Sequence, residues 1–263
     1  MRIVSWNINS VRLRIGHIER LVAEAAPDVL CLQETKVQDM HFPLEPFTRL
    51  GYGHQFVHGM KSYNGVAILS RLPLMETGRL GWCEKEDCRH AYATLPGGIE
   101  LHNYYIPAGG DLPDPAANPK FAHKLRFLGE LVAWWQARHQ PRRKAILLGD
   151  LNIAPLETDV WSHKALLDVV SHTPIEVEWL AKLQAAHGFI DAVRHFVPPA
   201  EKLYSWWSYR AADWRAADRG RRLDHIWVTP ALRGKLAGAA VLKDARGWAT
   251  PSDHVPVVVD LDI

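Results

Sequence analysis

Cysteine is scarce in this chain. Cys31, Cys83 and Cys88 are the only three in 263 residues, with no Cys-x-x-Cys spacing. The odd count excludes a fully paired disulfide framework, the spacing excludes a zinc knuckle, and a reducing compartment is expected. No run of about 18 apolar residues occurs, so no membrane-spanning helix is expected. The N-terminus, Met1-Arg2-Ile3-Val4-Ser5-Trp6, enters strand-like sequence without an apolar leader, and a soluble, unexported protein is the corresponding expectation. An excess of one charge is also missing, because 31 Lys and Arg face 29 Asp and Glu, a net +2. A protein that coats nucleic acid needs a cation for each phosphate it neutralises. Any nucleic-acid recognition here therefore has to be local.

What is present describes a packed domain. The chain is 48% hydrophobic and 23% charged, which excludes disorder and collagen-like repeats, and it is long enough for a sizeable core. Tryptophan is abundant, at 11 residues, with adjacent pairs at Trp134-Trp135 and Trp206-Trp207. Large aromatics usually fill cores, but they also stack on bases and sugars.

Apolar periodicity predicts strands at Arg2–Asn7 and Asp28–Gln33, with a helix over Val11–Ala25 between them that Pro27 ends. Further strands are expected at Gly65–Leu69, Ala91–Leu95 and Ile99–Ile106, the last two joined by a Pro96-Gly97-Gly98 turn. Lys120–Arg138 carries Phe121, Leu125, Leu128, Leu131, Val132 and Trp135 on one helical face. The strand pattern resumes at Ala145–Gly149, Tyr204–Tyr209, Leu223–Thr229 and Val255–Leu261, with shorter pieces at Phe189–Val193 and Ala240–Leu242. Pro107–Pro119 reads as a loop, not an interdomain linker, because regular patterns flank it directly. One domain over 1–263 is expected, with two α/β halves packed face to face.

Polar residues sit where buried strands end. Asn7 and Asn9 follow the first, Gln33 and Glu34 the second, Asp150 and Asn152 a third, and Ser252-Asp253-His254 precedes the last. Each alone is an ordinary turn former, but together they supply the hard oxygen donors that suit Mg²⁺. Asp224 and His254 form a second constellation, since a buried Asp that accepts from an imidazole favours the imidazolium.

In chain order the motifs are Trp6-Asn7-Ile8-Asn9, Leu32-Gln33-Glu34-Thr35-Lys36, Asn64-Gly65-Val66-Ala67-Ile68, Tyr105-Ile106-Pro107, Gly149-Asp150-Leu151-Asn152, Arg222-Leu223-Asp224 and Ser252-Asp253-His254. This series resembles the exonuclease III type of AP endonuclease within the endonuclease/exonuclease/phosphatase superfamily, from Ile3 to Leu261. The Gly-Asp-x-Asn and Ser-Asp-His elements are shared with deoxyribonuclease I-like enzymes, sphingomyelinases and inositol phosphatases. Leu-Gln-Glu-Thr-Lys and Tyr204-Ser205-Trp206-Trp207-Ser208-Tyr209 are more specific to the DNA-repair branch.

The resemblance implies a four-layer α/β sandwich, deoxyribonuclease I-like, with two packed mixed β-sheets flanked by helices. It implies Mg²⁺, or Mn²⁺ in its place, held by Asn7 and Glu34. Asp150 would orient or deprotonate the attacking water, and Asn152 would hold that water or the phosphate. His254, held by Asp224, would stabilise transition-state charge. Asp253 would serve as proton donor or as a further metal ligand. Tyr105 would contact the scissile phosphate, or activate the nucleophile in place of Asp150. Trp206 and Leu223 would line a pocket for a flipped abasic sugar, although strand alternation makes one of Trp206 and Trp207 a core residue. The implied partner is duplex DNA with abasic sites or blocked 3′ ends, the implied state a monomer, and the implied location cytoplasmic, nucleoid-associated in a bacterium.

The chain departs from the pattern twice. Arg221 stands where relatives commonly have Leu or Trp, so either the pocket is more polar or Arg221 turns to a phosphate. Ala108-Gly109 stands where relatives often carry Asn or Gln. Arg210–Arg222 holds five arginines against Asp213 and Asp218, and Arg215 and Arg219 are expected on a phosphate-tracking loop. Setting aside Glu34, Asp150, Asp224 and Asp253 leaves 31 basic against 25 acidic side chains, an acidic centre in a mildly cationic shell. The same chemistry on RNA 3′ ends or on a phospholipid or inositol phosphate is the alternative. A non-catalytic binding module fits less well, because it would be expected to have lost part of this set.

Overall fold

Side chains along the first strand, β1 (Arg2–Asn7), alternate between two environments. Ile3 enters one apolar cluster, while Val4 and Trp6 enter another. The computed structural model describes residues 1–263. Strands and helices are numbered in chain order. The first sheet has the order β13 (Leu236–Val241), β14 (Val257–Leu261), β1, β2 (Val29–Gln33), β4 (Val66–Ser70), β3 (His54–His58). The second has the order β5 (Glu76–Gly78), β6 (His90–Leu95), β7 (Ile99–Tyr105), β8 (Ala145–Asp150), β12 (Asp224–Val228), β9 (Ile190–Asp191). Both sheets are mixed, because β1/β2 and β7/β8 pair in parallel and the other pairs are antiparallel.

The inner faces meet through Ile3, Val29 and Ile68 on one side and Leu101, Ile146, Leu148 and Ile226 on the other. Helix α1 (Ile15–Ala25) covers the outer face of the first sheet with Ile18, Leu21 and Val22. Over the second sheet, α3 (Pro119–Ala137) and α5 (Pro174–His187) lay Phe127, Leu131, Leu180 and Leu183 on Tyr104, Leu147 and Trp227. The result is the four-layer α/β sandwich expected from the sequence. No helix is long and apolar enough to cross a membrane, and all three cysteines are free and buried.

Several boundaries differ from the periodicity. Helix α1 begins at Ile15, not Val11, because Arg14 is tied to the backbone carbonyls of Ile8, Thr250 and Pro251 and holds the preceding residues in a turn. Helix α5 lacks a clear apolar stripe, and its start is set by caps: Thr173 and Glu176 form a capping box around Pro174. Gly188, at φ 65°, ends it. The expected Tyr204–Tyr209 strand shrinks to β10 (Trp206–Trp207), paired with β11 (Gly220–Arg221) in a small ribbon. Two short α-helices, α2 (Leu44–Arg49) and α4 (His163–Leu166), lie in the connections, and a third, α6 (Trp214–Ala217), lies between β10 and β11.

Polarity between the sheets rises toward one end. Ile3, Ser5 and Asn7 follow one another along β1, Val29, Cys31 and Gln33 along β2, and Leu101, Asn103 and Tyr105 along β7. Gln33 Nε2 donates to Ser5 Oγ at 3.1 Å and to Asn103 Oδ1 at 2.7 Å. Asn103 Nδ2 donates to the carbonyls of Leu32 and Ala67, each at 3.0 Å. These bonds offset the desolvation of the amide donors, while Gln33 Oε1 stays buried without a partner. They form the floor of a site at the open end of the sandwich.

Candidate active site

Three neighbouring strands of the second sheet align the centre. Pairing of β7, β8 and β12 puts Tyr105 opposite Asp150 and Asp150 opposite Asp224. The first sheet contributes Asn7 at the end of β1 and Glu34 one residue beyond β2. Glu34 at φ 50°, Asn152 at φ 54°, Asn9 at φ 46° and Lys36 at φ 54° all occupy the left-handed region. Non-glycine residues seldom do so, at a cost of about 1–3 kcal/mol each, and such outliers cluster at functional sites.

The side chains meet in one network. Asn7 Nδ2 donates to Glu34 Oε1 and to Asp150 Oδ2, each at 2.9 Å, and Tyr105 donates to Glu34 Oε1 at 2.9 Å. The ammonium of Lys36 lies 2.7 Å from Glu34 Oε2 and donates to Asn9 Oδ1 at 2.6 Å. His254 Nδ1 is 2.8 Å from Asp224 Oδ2, and its Nε2 is 3.7 Å from Asp150 Oδ2. Ser205 Oγ donates to the same Asp224 oxygen at 2.6 Å while accepting from the backbone N–H of Leu223 and Asp224. Asn152 donates its backbone N–H to Asp150 Oδ1 at 3.0 Å and its Nδ2 to the carbonyl of Ile106 at 2.9 Å.

These contacts set the charges. Burial works against an imidazolium at His254, but Asp224 and Asp150 outweigh it and raise its pKa to about 10. Burial, together with Asp224 and Glu34, pushes Asp150 above the usual carboxylate range, against the pull of His254 and Asn7. Burial also opposes charge on Glu34, yet Lys36 and Asn7 hold it below its ordinary value. Tyr105 is pushed well above 10 by burial and then by Glu34 and Asp150, so it is a neutral phenol.

The donor set fits a hard divalent cation. Glu34, Asp150 and His254 bring ligand atoms within 4.8 Å of one another. A ligating histidine must be neutral, and His254 is held cationic, which leaves the carboxylate oxygens of Glu34 and Asp150; Asn7 turns its Nδ2 to both carboxylates, and its Oδ1 accepts from the Asn9 backbone N–H at 3.1 Å. Asp253, a possible ligand on the sequence reading, stands outside this cluster. Its Oδ1 accepts from Asn9 Nδ2 at 3.0 Å and its Oδ2 from Trp206 Nε1 at 2.9 Å. Burial raises its pKa, but His254, Trp206 and Asn9 bring it below the ordinary value, so it is ionised and not a proton donor at rest.

The network lies at the end of a cleft of about 950 Å³, whose walls include Trp161, Trp206, Arg219, Arg221 and Leu223. Trp206 is half-buried on the cleft wall, whereas Trp207 is buried against Tyr204 and Val255. The Trp206 ring carries the Arg221 guanidinium at 5.3 Å from its centroid, and Trp161 carries that of Arg219 at 4.9 Å. Arg221 is therefore folded onto the indole and not turned outward. Arg219 lines the cleft, whereas Arg215, from the same loop, is exposed beside it with its Nη2 3.0 Å from Asp244 Oδ1.

Some supports were invisible in the sequence. Ser205 has its role only through Asp224, far along the chain, whereas Asn9 and Lys36, already within the motifs, gain theirs by pairing with each other and with Asp253 and Glu34. Deeper still, the ammonium of Lys124 is fully buried and donates to the carbonyls of Asn152 at 2.8 Å and Ala108 at 3.3 Å, as well as to Glu176. A helical pattern marked Lys124 only as a polar position between apolar ones.

Comparison with known proteins agrees with this fold. Residues 4–254 match the model of the Endonuclease/Exonuclease/phosphatase family. The chain is 32% identical to exodeoxyribonuclease III of Haemophilus influenzae, over 98% of each chain. Among solved structures it resembles an AP endonuclease from Archaeoglobus fulgidus, with TM-score 0.92, 32% identity and full coverage of both chains. It also resembles a 3′ phosphatase from Neisseria bound to a product DNA hairpin, with TM-score 0.91, 31% identity and full coverage of both chains.

Proposed function

The chain belongs to the endonuclease/exonuclease/phosphatase family, and within it we propose a Mg²⁺-dependent DNA-repair enzyme that incises duplex DNA 5′ to abasic sites, with 3′-to-5′ exonuclease and 3′-phosphatase capability. It is a hydrolytic nuclease. The observation that carries the finer reading is the placement of Asp150 between an imidazolium, His254, and an amide, Asn7, at the end of a tryptophan-walled cleft. The two sheets share one core, in support of a single domain over 1–263.

Asp150 is taken as the base on its position, because its carboxylate lies at the end of the cleft, 3.7 Å from His254 Nε2 and accepting from the backbone N–H of Asn152. Tyr105 is not, because its phenol is a donor to Glu34 and stays protonated. Asn152 lines the cleft with its Nδ2 committed to Ile106, leaving Oδ1 to accept from the attacking water. His254 meets the charge that builds on the phosphoryl oxygens, a preorganised contribution of about 3–4 kcal/mol in comparable cases. Asp224 and Ser205 fix its ring, and Asp253 fixes Trp206. Mg²⁺, or Mn²⁺, held by Glu34 and Asp150, would supply electrostatic stabilisation of the phosphate and the leaving oxygen.

The test is a panel of four substrates, with Mg²⁺ and with EDTA: a duplex carrying one abasic analogue, an intact blunt duplex, a 3′-phosphate end and an RNA 3′ end. Mg²⁺-dependent incision of the abasic strand is expected. Activity confined to the RNA end would move the substrate to RNA, and no metal-dependent cleavage of the abasic strand would overturn the assignment.

A further inference from the structure

Cross-strand pairing puts His254, Trp206 and Arg221 in one row. Trp206 bridges His254 on one side and pairs with Arg221 on the other, both antiparallel. Directly paired residues share a face of a sheet at about 5 Å per step. The cleft wall therefore reads, in order, reaction-centre cation, flat indole, second cation.

The second cation lacks a counter-charge. Arg221 Nη1 donates to two neutral acceptors, the carbonyl of Val170 at 2.9 Å and Ser171 Oγ at 2.7 Å. It forms no ion pair, unlike buried Arg222, which is held by Asp159 and Asp191. Arg221 Nε is buried with no hydrogen-bond partner, and Nη2 makes no hydrogen bond within the protein. A buried cation without an anion is costly. Here the guanidinium is fixed at one end by the Val170 carbonyl and the Ser171 hydroxyl and stacked on the indole, and Nη2, which is neither buried nor partnered, is left for something that enters the cleft.

We infer that Arg221 binds the phosphate on the far side of the sugar seated on Trp206, so that the enzyme prefers a nucleotide unit phosphorylated on both sides over one that ends in a free 3′ hydroxyl. This rests on the reading of the site as a DNA phosphodiesterase and names its substrate more narrowly. The scissile phosphate lies at His254, the sugar on the Trp206 face, and the next phosphate at the Arg221 fork. A guanidinium N–H donated to a phosphate oxygen is a charge-assisted hydrogen bond, stronger than one between neutral groups. An internal abasic residue carries that second phosphate, and so does a terminal residue with a 3′-phosphate. A terminal residue with a 3′ hydroxyl does not. Hydrogen bonds to a charged group are worth enough to give a preference of about tenfold or more.

The test uses the full chain, Mg²⁺ and three duplexes: an internal abasic analogue, the same analogue at a nick with a 3′ hydroxyl, and the same nick with a 3′-phosphate on the analogue. Wild type is expected to cleave the first and third at least about tenfold more efficiently, in kcat/KM, than the second, with initial rates of the cut 5′ to the analogue read separately from removal of the 3′-phosphate. Arg221→Met keeps the length and the stack but removes the fork, and its preference should fall to within about threefold of unity. Arg221→Lys keeps the charge and should retain a measurable preference. An unchanged ratio in Arg221→Met, or faster cleavage of the internal substrate, would overturn the assignment of Arg221 and make it a plug of the cleft. A wild-type enzyme that cleaves none of the three would instead overturn the reading of the whole site.

Discussion

His254 stands between two carboxylates, with Nδ1 2.8 Å from Asp224 Oδ2 and Nε2 3.7 Å from Asp150 Oδ2. One partner fixes the ring, and the other belongs to the chemistry. Because both raise the pKa of His254, to about 10, the cationic form persists through neutral pH and is lost only as pH rises toward that value. Asp224→Asn removes the larger support. It should lower kcat by about 10²–10³, the usual loss for one preorganised electrostatic group, and move the alkaline limb of the pH–rate profile to lower pH. A limb that stays in place would separate Asp224 from His254.

Glu34 accepts from Asn7 and Tyr105 and lies against Lys36. As a carboxylate of the cation site its charge matters more than its shape. Glu34→Gln should raise the Mg²⁺ concentration for half-maximal activity by at least about tenfold, since Mg²⁺ is held by only one or two carboxylates. Metal titration of the initial rate checks this, and an unmoved midpoint would exclude Glu34 as a ligand.

Lys124 and Glu176 are both fully buried and paired. Breaking such a pair from one side leaves an uncompensated charge and costs about 3–5 kcal/mol. Lys124→Met should therefore lower the unfolding free energy by that amount in urea. It should also lower kcat at temperatures where the variant remains folded, because the Asn152 carbonyl loses its donor.

Asp191 gives the acid side of stability. Burial would raise its pKa, but Arg222, His225 and the Arg194 backbone depress it far below the ordinary value. A depressed folded-state pKa stabilises the protein above the unfolded value, about 3.9, and that contribution fades as pH falls. Asp191→Asn should be less stable than wild type by about 3–5 kcal/mol at pH 7, leaving Arg222 under-compensated, and the gap should narrow below about pH 4. Urea midpoints across pH 3–7 measure it.

The site residues that could be read in advance share one property, a polar side chain placed where a buried strand ends. Asn7, Glu34, Asp150, Asn152, Asp224 and His254 all follow that rule. Those that could not be read take their meaning from long-range contacts, such as Ser205, which reaches Asp224 across 19 positions, and Lys124, which reaches Asn152 across 28. For Asp253 and Arg215 the chemistry was legible, and the resting partners, Trp206 with Asn9 and Asp244, were not. For the fold, buried strands such as β8 were legible because the apolar run is too short for a helix and is bounded by Arg142-Arg143-Lys144 and Gly149-Asp150. Helix α5 was not, because its inward face includes Glu176 and His187 and only its caps mark it. Strand β3 is mostly half-buried with two histidines, so its pattern is weak.

The most direct measurement is single-turnover incision of a duplex with one abasic analogue by wild type and Asp150→Asn, in saturating Mg²⁺. Wild type should cut on the 5′ side and leave a 3′ hydroxyl, and Asp150→Asn, still folded and still binding the duplex, should be slower by at least about 10³, reflecting loss of both the base and a cation ligand. Cleavage by Asp150→Asn at near wild-type rate, or incision that persists in EDTA, would contradict the assignment of Asp150 as the base of a metal-dependent phosphodiesterase.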